Sequence, residues 1–115
     1  MLKFYKTIDG VTHELAALEK DCWISAVAPT EEEKNYLMQE VGVLPEFVKA
    51  SLDEEESSHI DFDDEANQTL IIVDYPSAEE SEGAITETTL QYTTLPLGIV
   101  IMKGYIVTIC LYENL

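Results

Sequence analysis

The sequence contains no arginine, and its only basic residues apart from two histidines are six lysines. Against these lysines stand 23 aspartates and glutamates, so the 115-residue chain has a formal net charge of −17 at pH 7. Proteins that bind nucleic acids or anionic membranes use lysine and arginine to neutralise phosphates. We therefore expect neither partner, and the field of the chain attracts cations and basic proteins instead. A second interpretation stays open, because a high net charge also keeps a domain soluble and monomeric.

Long hydrophobic runs and cysteine-rich motifs are also missing. The longest apolar run, Leu95 to Met102, is far shorter than the roughly 20 residues of a membrane-spanning helix. Lys3 to Asp9 is too short and too polar to be the apolar core of a signal peptide. Cys22 and Cys110 lie in apolar, strand-like runs, which favours two buried thiols over a disulfide. We expect a reducing, cytoplasmic setting.

The sequence has no recognisable catalytic or cofactor motif. His13 and His59 are the only histidines, and neither lies beside a nucleophile motif. The cysteines and histidines lack the paired spacing of a zinc site. The five glycines are isolated, so no phosphate-binding loop is present. We therefore predict no catalytic residues, no organic cofactor and no enzymatic activity.

The length predicts one domain over residues 1–115. Leu2 to Ile8 reads as a half-buried strand, and Asp9-Gly10 is typical of a two-residue type I′ hairpin turn. Val11 to Leu18 is then the returning strand, although Glu14 to Glu19 fits one helical turn equally well. Cys22 to Val27 predicts the third strand, in which Trp23 is a core or interface anchor.

Two short helices are predicted next. Thr30 and Glu33 have the spacing of a capping box, and three glutamates in the first turn complement the helix dipole. Gly42 is expected to end this helix in the left-handed conformation. Pro45 suits the first position of a second helix.

An acidic run follows the second helix. Asp53, Glu54, Glu55 and Glu56 lie near a helix C-terminus, where the helix dipole disfavours negative charge. A cation bound to these carboxylates would offset the unfavourable interaction. Because Mg²⁺ prefers a few carboxylate oxygens, these four residues are our candidate metal ligands; the alternative is a solvated charge run. Asp61 to Glu65 resembles a calcium loop but lacks the required glycine and the final glutamate, so we interpret it as a solvated strand end.

The second half of the chain predicts strands. Ile60 and Phe62 alternate with polar residues as in a strand with one apolar side. Leu70 to Val73 is uniformly apolar, which predicts a strand buried on both faces and therefore a sheet with helical cover. We interpret Ser77 to Thr86 as a flexible hairpin loop. The last two strands are predicted at Gln91 to Met102 and Tyr105 to Tyr112, and Pro96 marks a bulge or an edge in the first of them.

The order of these features resembles the soluble N-terminal domain of the CorA family of magnesium and divalent-cation transporters. The resemblance rests on the strand around Trp23-Ile24, the Thr30-Glu-Glu-Glu cap, Gly42 to Pro45, the acidic run and Gln68 to Pro76. It implies an α/β/α sandwich in which short helices cover a mixed sheet of about six or seven strands. It also implies that the chain is the cytoplasmic part of a longer membrane protein.

The resemblance further implies a homopentamer whose cytoplasmic funnel gates a cation pore, with Mg²⁺ between neighbouring subunits holding the pore closed. Two features depart from the family pattern. The Gly-Met-Asn pore motif would lie beyond Leu115, and the carboxylate of the family's regulatory site falls near Lys49-Ala50, where neither residue is acidic. The family's sensing site therefore does not transfer residue for residue, and a site at Asp53 to Glu56 is a separate hypothesis. From the resemblance we predict a cytoplasmic regulatory domain, with Mg²⁺ sensing through its acidic surfaces as that further hypothesis. The alternative is a free-standing acidic module that binds a basic protein partner.

Overall fold

A computed structural model describes residues 1–80 and 90–112, with backbone only at 77–80 and 90–93. These residues form seven strands and two short helices, the first of which is extended by a turn of π-helix. In chain order these are β1 (Leu2–Ile8), β2 (Val11–Leu15), β3 (Cys22–Val27), α1 (Glu31–Tyr36), the π-helical turn (Leu37–Val41), α2 (Pro45–Ser51), β4 (His59–Asp63), β5 (Gln68–Glu80), β6 (Leu90–Met102) and β7 (Tyr105–Cys110).

All seven strands belong to one mixed sheet in the order β2-β1-β3-β7-β6-β5-β4. The central pair, β3 and β7, is parallel, and every other neighbouring pair is antiparallel. The helical segment between β3 and β4 lies on one face of this sheet. The predicted mixed sheet of six or seven strands with short helices is confirmed.

The first hairpin turns at the predicted dipeptide. Asp9 and Gly10 have φ values of 52° and 78°, the left-handed pair that a type I′ turn requires. The returning strand β2 ends at Leu15 and pairs with β1 from Val11 onward. Of the two interpretations of this segment, the strand is therefore correct, because pairing along β1 satisfies its backbone groups.

Helix α1 begins at the predicted capping box. The Glu33 backbone N–H donates to the Thr30 hydroxyl at 3.2 Å, and the Glu33 carboxylate accepts from the Thr30 N–H at 3.0 Å. The helix widens into the π-helical turn, whose Leu37 and Val41 are buried. Gly42 then ends it with φ 94°, as predicted. Pro45 opens α2.

Helix α2 lies directly on β6. A Cβ atom added at Gly98 would be 1.8 Å from Ser51 Oγ, so only glycine allows the helix to approach this closely. Ser51 is fully buried, and its hydroxyl donates to the Phe47 carbonyl at 2.7 Å. Phe47 and Val48 complete the contact and join the core residues of the central strands on this face: Ile24, Ala26, Leu70, Ile72, Val100, Val107 and Ile109.

The buried Gln68 fixes the connection between the two helices. Its amide nitrogen donates to the Gly42 carbonyl at 2.6 Å, and its amide oxygen accepts from the Leu44 N–H at 3.1 Å. Both ends of the loop are thereby held against the first residue of β5. These bonds satisfy backbone groups that would otherwise be buried without partners.

The last strands differ in length from the prediction. β5 continues to Glu80, so the first part of the predicted Ser77–Thr86 loop is strand, and residues 81–86 lie outside the described residues. β7 ends at Cys110, two residues early. Pro96 is opposite Asp74 of β5, one residue beyond the last β6–β7 pair, Leu97 with Cys110. On its β7 side, β6 is therefore an edge at Pro96, as predicted. The N–H that proline lacks removes no hydrogen bond between β6 and β7.

The two-sided burial predicted for Leu70 to Val73 is wrong for the described residues. Leu70 and Ile72 are buried under the helices, whereas Val73 is 43% exposed. Both described helices lie on the Leu70 side, so no described helix covers the other side of the sheet. We call that side the open face, and its exposed apolar side chains are Trp23, Ile60, Phe62, Val73, Ile101 and Ile106.

Candidate functional site

The acidic run Asp53 to Glu56, called the acidic turn below, connects α2 to β4. Asp53 organises it: its carboxylate accepts from the Glu55 N–H at 2.9 Å, and its carbonyl accepts from the Glu56 N–H at 3.0 Å. Asp53, Glu54 and Glu55 are exposed. The turn is therefore built by local backbone bonds and leaves most of its carboxylate oxygens in water.

The other carboxylates of the acidic turn point to separate partners. Glu54 accepts a hydrogen bond from the Tyr112 hydroxyl at 2.8 Å, which connects the turn to the end of β7. Glu56 Oε1 lies 3.5 Å from His59 Nδ1. That histidine nitrogen is also 2.6 Å from the Ser57 carbonyl oxygen. These contacts anchor the turn to the rest of the domain and separate its side chains.

The four predicted ligands are thus adjacent in sequence without converging on one point. Within residues 1–80 and 90–112, no three histidine, cysteine, aspartate or glutamate side chains are grouped closely enough to hold a metal ion. A cation at this turn would have to bind through one or two carboxylates, retained waters and ligands from another molecule. Such incomplete coordination is usual for Mg²⁺, which gives up its water shell reluctantly.

The Asp61 to Glu65 segment is a strand end followed by a turn. Asp61 and Asp63 lie in β4, and the Asp63 carboxylate accepts from the Ala66 N–H at 2.8 Å. Asn67 has φ 53°, so the chain reverses here through a left-handed residue. The segment closes the β4–β5 hairpin, which agrees with the interpretation as a solvated strand end.

Both cysteines are buried and unbridged, as predicted. The Cys110 thiol donates to the Tyr112 carbonyl at 3.3 Å, and burial raises the pKa of Cys110. A raised pKa keeps this thiol protonated and unreactive near neutral pH. It is therefore a packing group at the end of β7.

The sequence did not reveal the open face as a candidate site. Tyr5 and Trp23 stack on it with ring centroids 4.8 Å apart, and the Trp23 indole N–H donates to the Thr108 hydroxyl at 2.9 Å. Beside Trp23 is a depression of about 580 Å³, whose lining includes Val27 and Leu97. The alternation of apolar and polar residues marks each strand, but it does not tell which side of the sheet a helix covers.

Solved structures share this arrangement. The complete CorA magnesium transporter from Methanocaldococcus jannaschii matches all of the chain with a TM-score of 0.69 and 21% identity. The soluble domain of CorA from the same organism matches 95% of the chain with a TM-score of 0.67 and 24% identity. The chain has the fold of the CorA soluble domain. The expected resemblance is thereby confirmed at the level of the fold.

The fold also matches the cytoplasmic domain of ZntB from Vibrio parahaemolyticus, with a TM-score of 0.63 and 11% identity over 97% of the chain. The chain spans 33%, 40% and 44% of the three solved chains in turn. No family model matches the sequence, and neither does any curated protein. Among the described helices, none combines the length and hydropathy that crossing a bilayer requires.

Proposed function

We propose that the chain serves as a cytoplasmic regulatory domain of a CorA-like divalent-cation transporter and has no enzymatic role. One observation carries the proposal: the CorA soluble-domain fold extends over at least 95% of the chain. The net charge of −17 agrees with it, because such a surface concentrates cations. The pore of such a transporter would be formed by segments other than residues 1–115.

We further propose that the acidic turn senses Mg²⁺ weakly. The carboxylates of Asp53 and Glu55 are exposed. In a homopentamer of the kind that the resemblance implies, they would share a hydrated cation with a neighbouring subunit. A cation that screens two acidic subunit faces stabilises their association. Mg²⁺ would then favour the associated, closed state through its higher affinity for that state.

A chemical-shift titration of the chain with MgCl₂ tests cation sensing. We expect millimolar Mg²⁺ to shift the amide resonances of Asp53 to Glu56, and NaCl at equal ionic strength to shift them less. The variant Asp53→Asn/Glu55→Gln should lose the Mg²⁺-specific shifts. Glu32→Gln/Glu40→Gln removes the same charge from two other exposed sites and should retain them. If Mg²⁺ shifts no residue between Asp53 and Glu65, the sensing proposal fails.

A second candidate function is a free-standing acidic module that binds a basic protein, and the net charge of −17 favours it. The reading frame after codon 115 separates the two candidates. Two encoded apolar spans of about 20 residues, with Gly-Met-Asn at the end of the first, would establish the transporter. A stop codon directly after Leu115 would favour the interaction module.

A further inference from the structure

Strand β4 forms one edge of the sheet, and no described strand pairs with its outer side. Its side chains alternate between two chemistries. Ile60 and Phe62 are 72% and 55% exposed, and Asp61 and Asp63 occupy the alternate positions. An edge strand offers backbone N–H and C=O groups to which a further strand can bond. The residues that carry those outward groups decide what the edge can bind.

A proline fixes the hydrogen-bond pattern in this part of the sheet. Pro96 of β6 has no N–H, so Pro96 and Asp74 of β5 cannot be a pair that exchanges two backbone hydrogen bonds. The Asp74 N–H therefore points away from β6, and it donates to the Ser58 hydroxyl at 3.0 Å. By alternation along β5, the backbone groups of Ile72 and Leu70 also point away from β6, towards β4.

The outward backbone groups of β4 therefore belong to its two apolar residues. The β5 residues that face β4 are paired with His59 and Asp61, whose N–H and C=O groups bond to β5. Ile60 and Phe62 direct their N–H and C=O groups away from the sheet. A strand added at this edge would exchange backbone hydrogen bonds with both residues and would cover their exposed side chains.

The opposite edge of the sheet, β2, does not have this character. Ile8 and Val11 flank a two-residue hairpin turn, where the flanking residues form a hydrogen-bonded pair. By the same alternation, the outward groups of β2 belong to Thr12 and Glu14. Polar and charged residues at such positions are a usual protection of an edge strand. The apolar edge residues are thus a feature of β4.

The charges around β4 are negative. Asp61 is exposed, Glu56 precedes the strand, and Asp64 and Glu65 follow it. His59 lies 3.5 Å from Glu56, which offsets any charge that the histidine gains. All six lysines lie on other elements: Lys3 and Lys6 in β1, Lys20 before β3, Lys34 in α1, Lys49 in α2 on the groove towards α1, and Lys103 at the β6–β7 turn, two strands away. The complement of this edge is therefore apolar and basic in alternation.

We propose that β4 accepts an extended segment of a partner protein as an additional antiparallel strand, in which apolar residues alternate with lysine or arginine. The apolar residues lie opposite Ile60 and Phe62, and a basic residue lies opposite Asp61, where opposite charges stabilise a cross-strand pair. A second copy of the chain does not fit, because antiparallel pairing of two β4 strands about Asp61 brings the two Asp61 carboxylates together.

The inference involves neither the acidic turn nor Mg²⁺, so it is independent of cation sensing. It deepens the second candidate function, on which it rests for the existence of a basic partner, by giving that partner a conformation and a place on the molecule.

The probe is the end-capped peptide Gly-Lys-Val-Arg-Val-Thr-Gly, studied in the presence of EDTA. In antiparallel pairing its valines lie opposite Phe62 and Ile60, and its arginine lies opposite Asp61. Amide hydrogen exchange, measured by NMR, reports the pairing. In the free chain the Ile60 and Phe62 amides should exchange faster than the Asp61 amide, which bonds to β5. Saturating peptide should slow exchange at Ile60 and Phe62 at least about tenfold.

Unchanged exchange at Ile60 and Phe62 would overturn the proposal. Protection of these two amides in the free chain that grows with its concentration would also overturn it, since a second copy would then be the occupant.

Two N-methylated peptides separate backbone pairing from charge. Methyl groups on both valine nitrogens remove the N–H groups that face β4, and this peptide should bind at least about tenfold more weakly. A methyl group on the arginine nitrogen removes an N–H that faces away from β4, and affinity should stay within about twofold. If the two peptides bind equally, no strand is added at this edge. Glu in place of Lys and Arg should also weaken binding, since like charges then meet at Asp61.

A matched pair of variants locates the contact. Asp61→Lys places a cation opposite the arginine of the peptide and should weaken binding about tenfold. Glu40→Lys makes the same change of charge at an exposed residue of the π-helical turn and should leave affinity within about twofold. Equal loss in both variants would show attraction by net charge alone. Full binding by Asp61→Lys would place the basic peptide elsewhere, which overturns docking at β4 and leaves the second candidate function standing.

Discussion

At the scale of single residues, local chemistry determined what could be predicted. Thr30 and Glu33 are three positions apart, so their capping box follows from sequence spacing alone. Gln68 clamps a loop 26 positions earlier in the chain, and no local pattern indicates such a contact. The acidic turn lies between these cases. Its position was predictable, but its internal bonds through Asp53 and the contact of Glu54 with Tyr112 depend on the folded chain.

Glu33 should make stability depend on acid pH. The Thr30 N–H lowers the pKa of Glu33 below its usual 4.5, and the ammonium group of Met1 adds to this against the opposing effect of partial burial. A lowered folded-state pKa contributes stability that is present above pH 4.5 and is lost as the pH falls through the folded value. The free energy of unfolding of Glu33→Gln should therefore fall less steeply in this acid range than that of the parent.

Urea denaturation between pH 3 and pH 7 measures this difference. Glu32→Gln is the matched control, since it removes the same charge from the same first turn without breaking the capping box. It should keep the acid dependence of the parent chain. If Glu33→Gln and Glu32→Gln show identical dependence of the unfolding free energy on pH, the capping box does not favour the ionised form of Glu33 over the protonated form.

At the scale of elements, the sequence predicted which segments are strands better than it predicted what covers them. The run Leu70 to Val73 gave the strand correctly, yet only alternate residues are buried, because the described helices lie on one face. A uniformly apolar strand has the same sequence whether its second face packs against a helix of the same chain or is exposed in the isolated chain. Trp23 illustrates this. Its sequence context fits a core position and an interface position equally, and the structure places its side chain on the open face at 43% exposure.

The contact between α2 and β6 should depend on the missing side chain of Gly98. Gly98→Ala places a methyl group 2.4 Å from Ser51 Cβ and 3.2 Å from Ser51 Cα, so the helix must move away from the sheet. We expect unfolding in urea to show a loss of about 2 kcal/mol, typical of an overpacked core. Ser51→Gly alone should cost roughly 0.5 kcal/mol through helix propensity, the difference between serine and glycine.

The double variant Gly98→Ala/Ser51→Gly tests whether the two residues act on each other. Because Ser51→Gly removes the side chain that the new methyl group meets, Gly98→Ala should be less costly in that background. If the two costs simply add, α2 does not pack directly against Gly98.

At the scale of the whole molecule, negative charge and the apolar open face are segregated. The chain has 23 acidic residues, yet the described side chains place one of them, Glu14, on the open face. Composition predicted the attraction for cations and basic partners. It could not show the segregation, which arises only when strands distant in sequence are paired in register.

The central claim is that residues 1–80 and 90–112 bury one face of the sheet under their helices and leave the other face exposed. Trp23, the only tryptophan, reports on that second face directly. We expect acrylamide to quench its fluorescence readily, to the same extent at every protein concentration from low to high micromolar. An indole that is shielded from acrylamide even at the lowest concentration would mean that the chain covers this face itself, and would contradict the account.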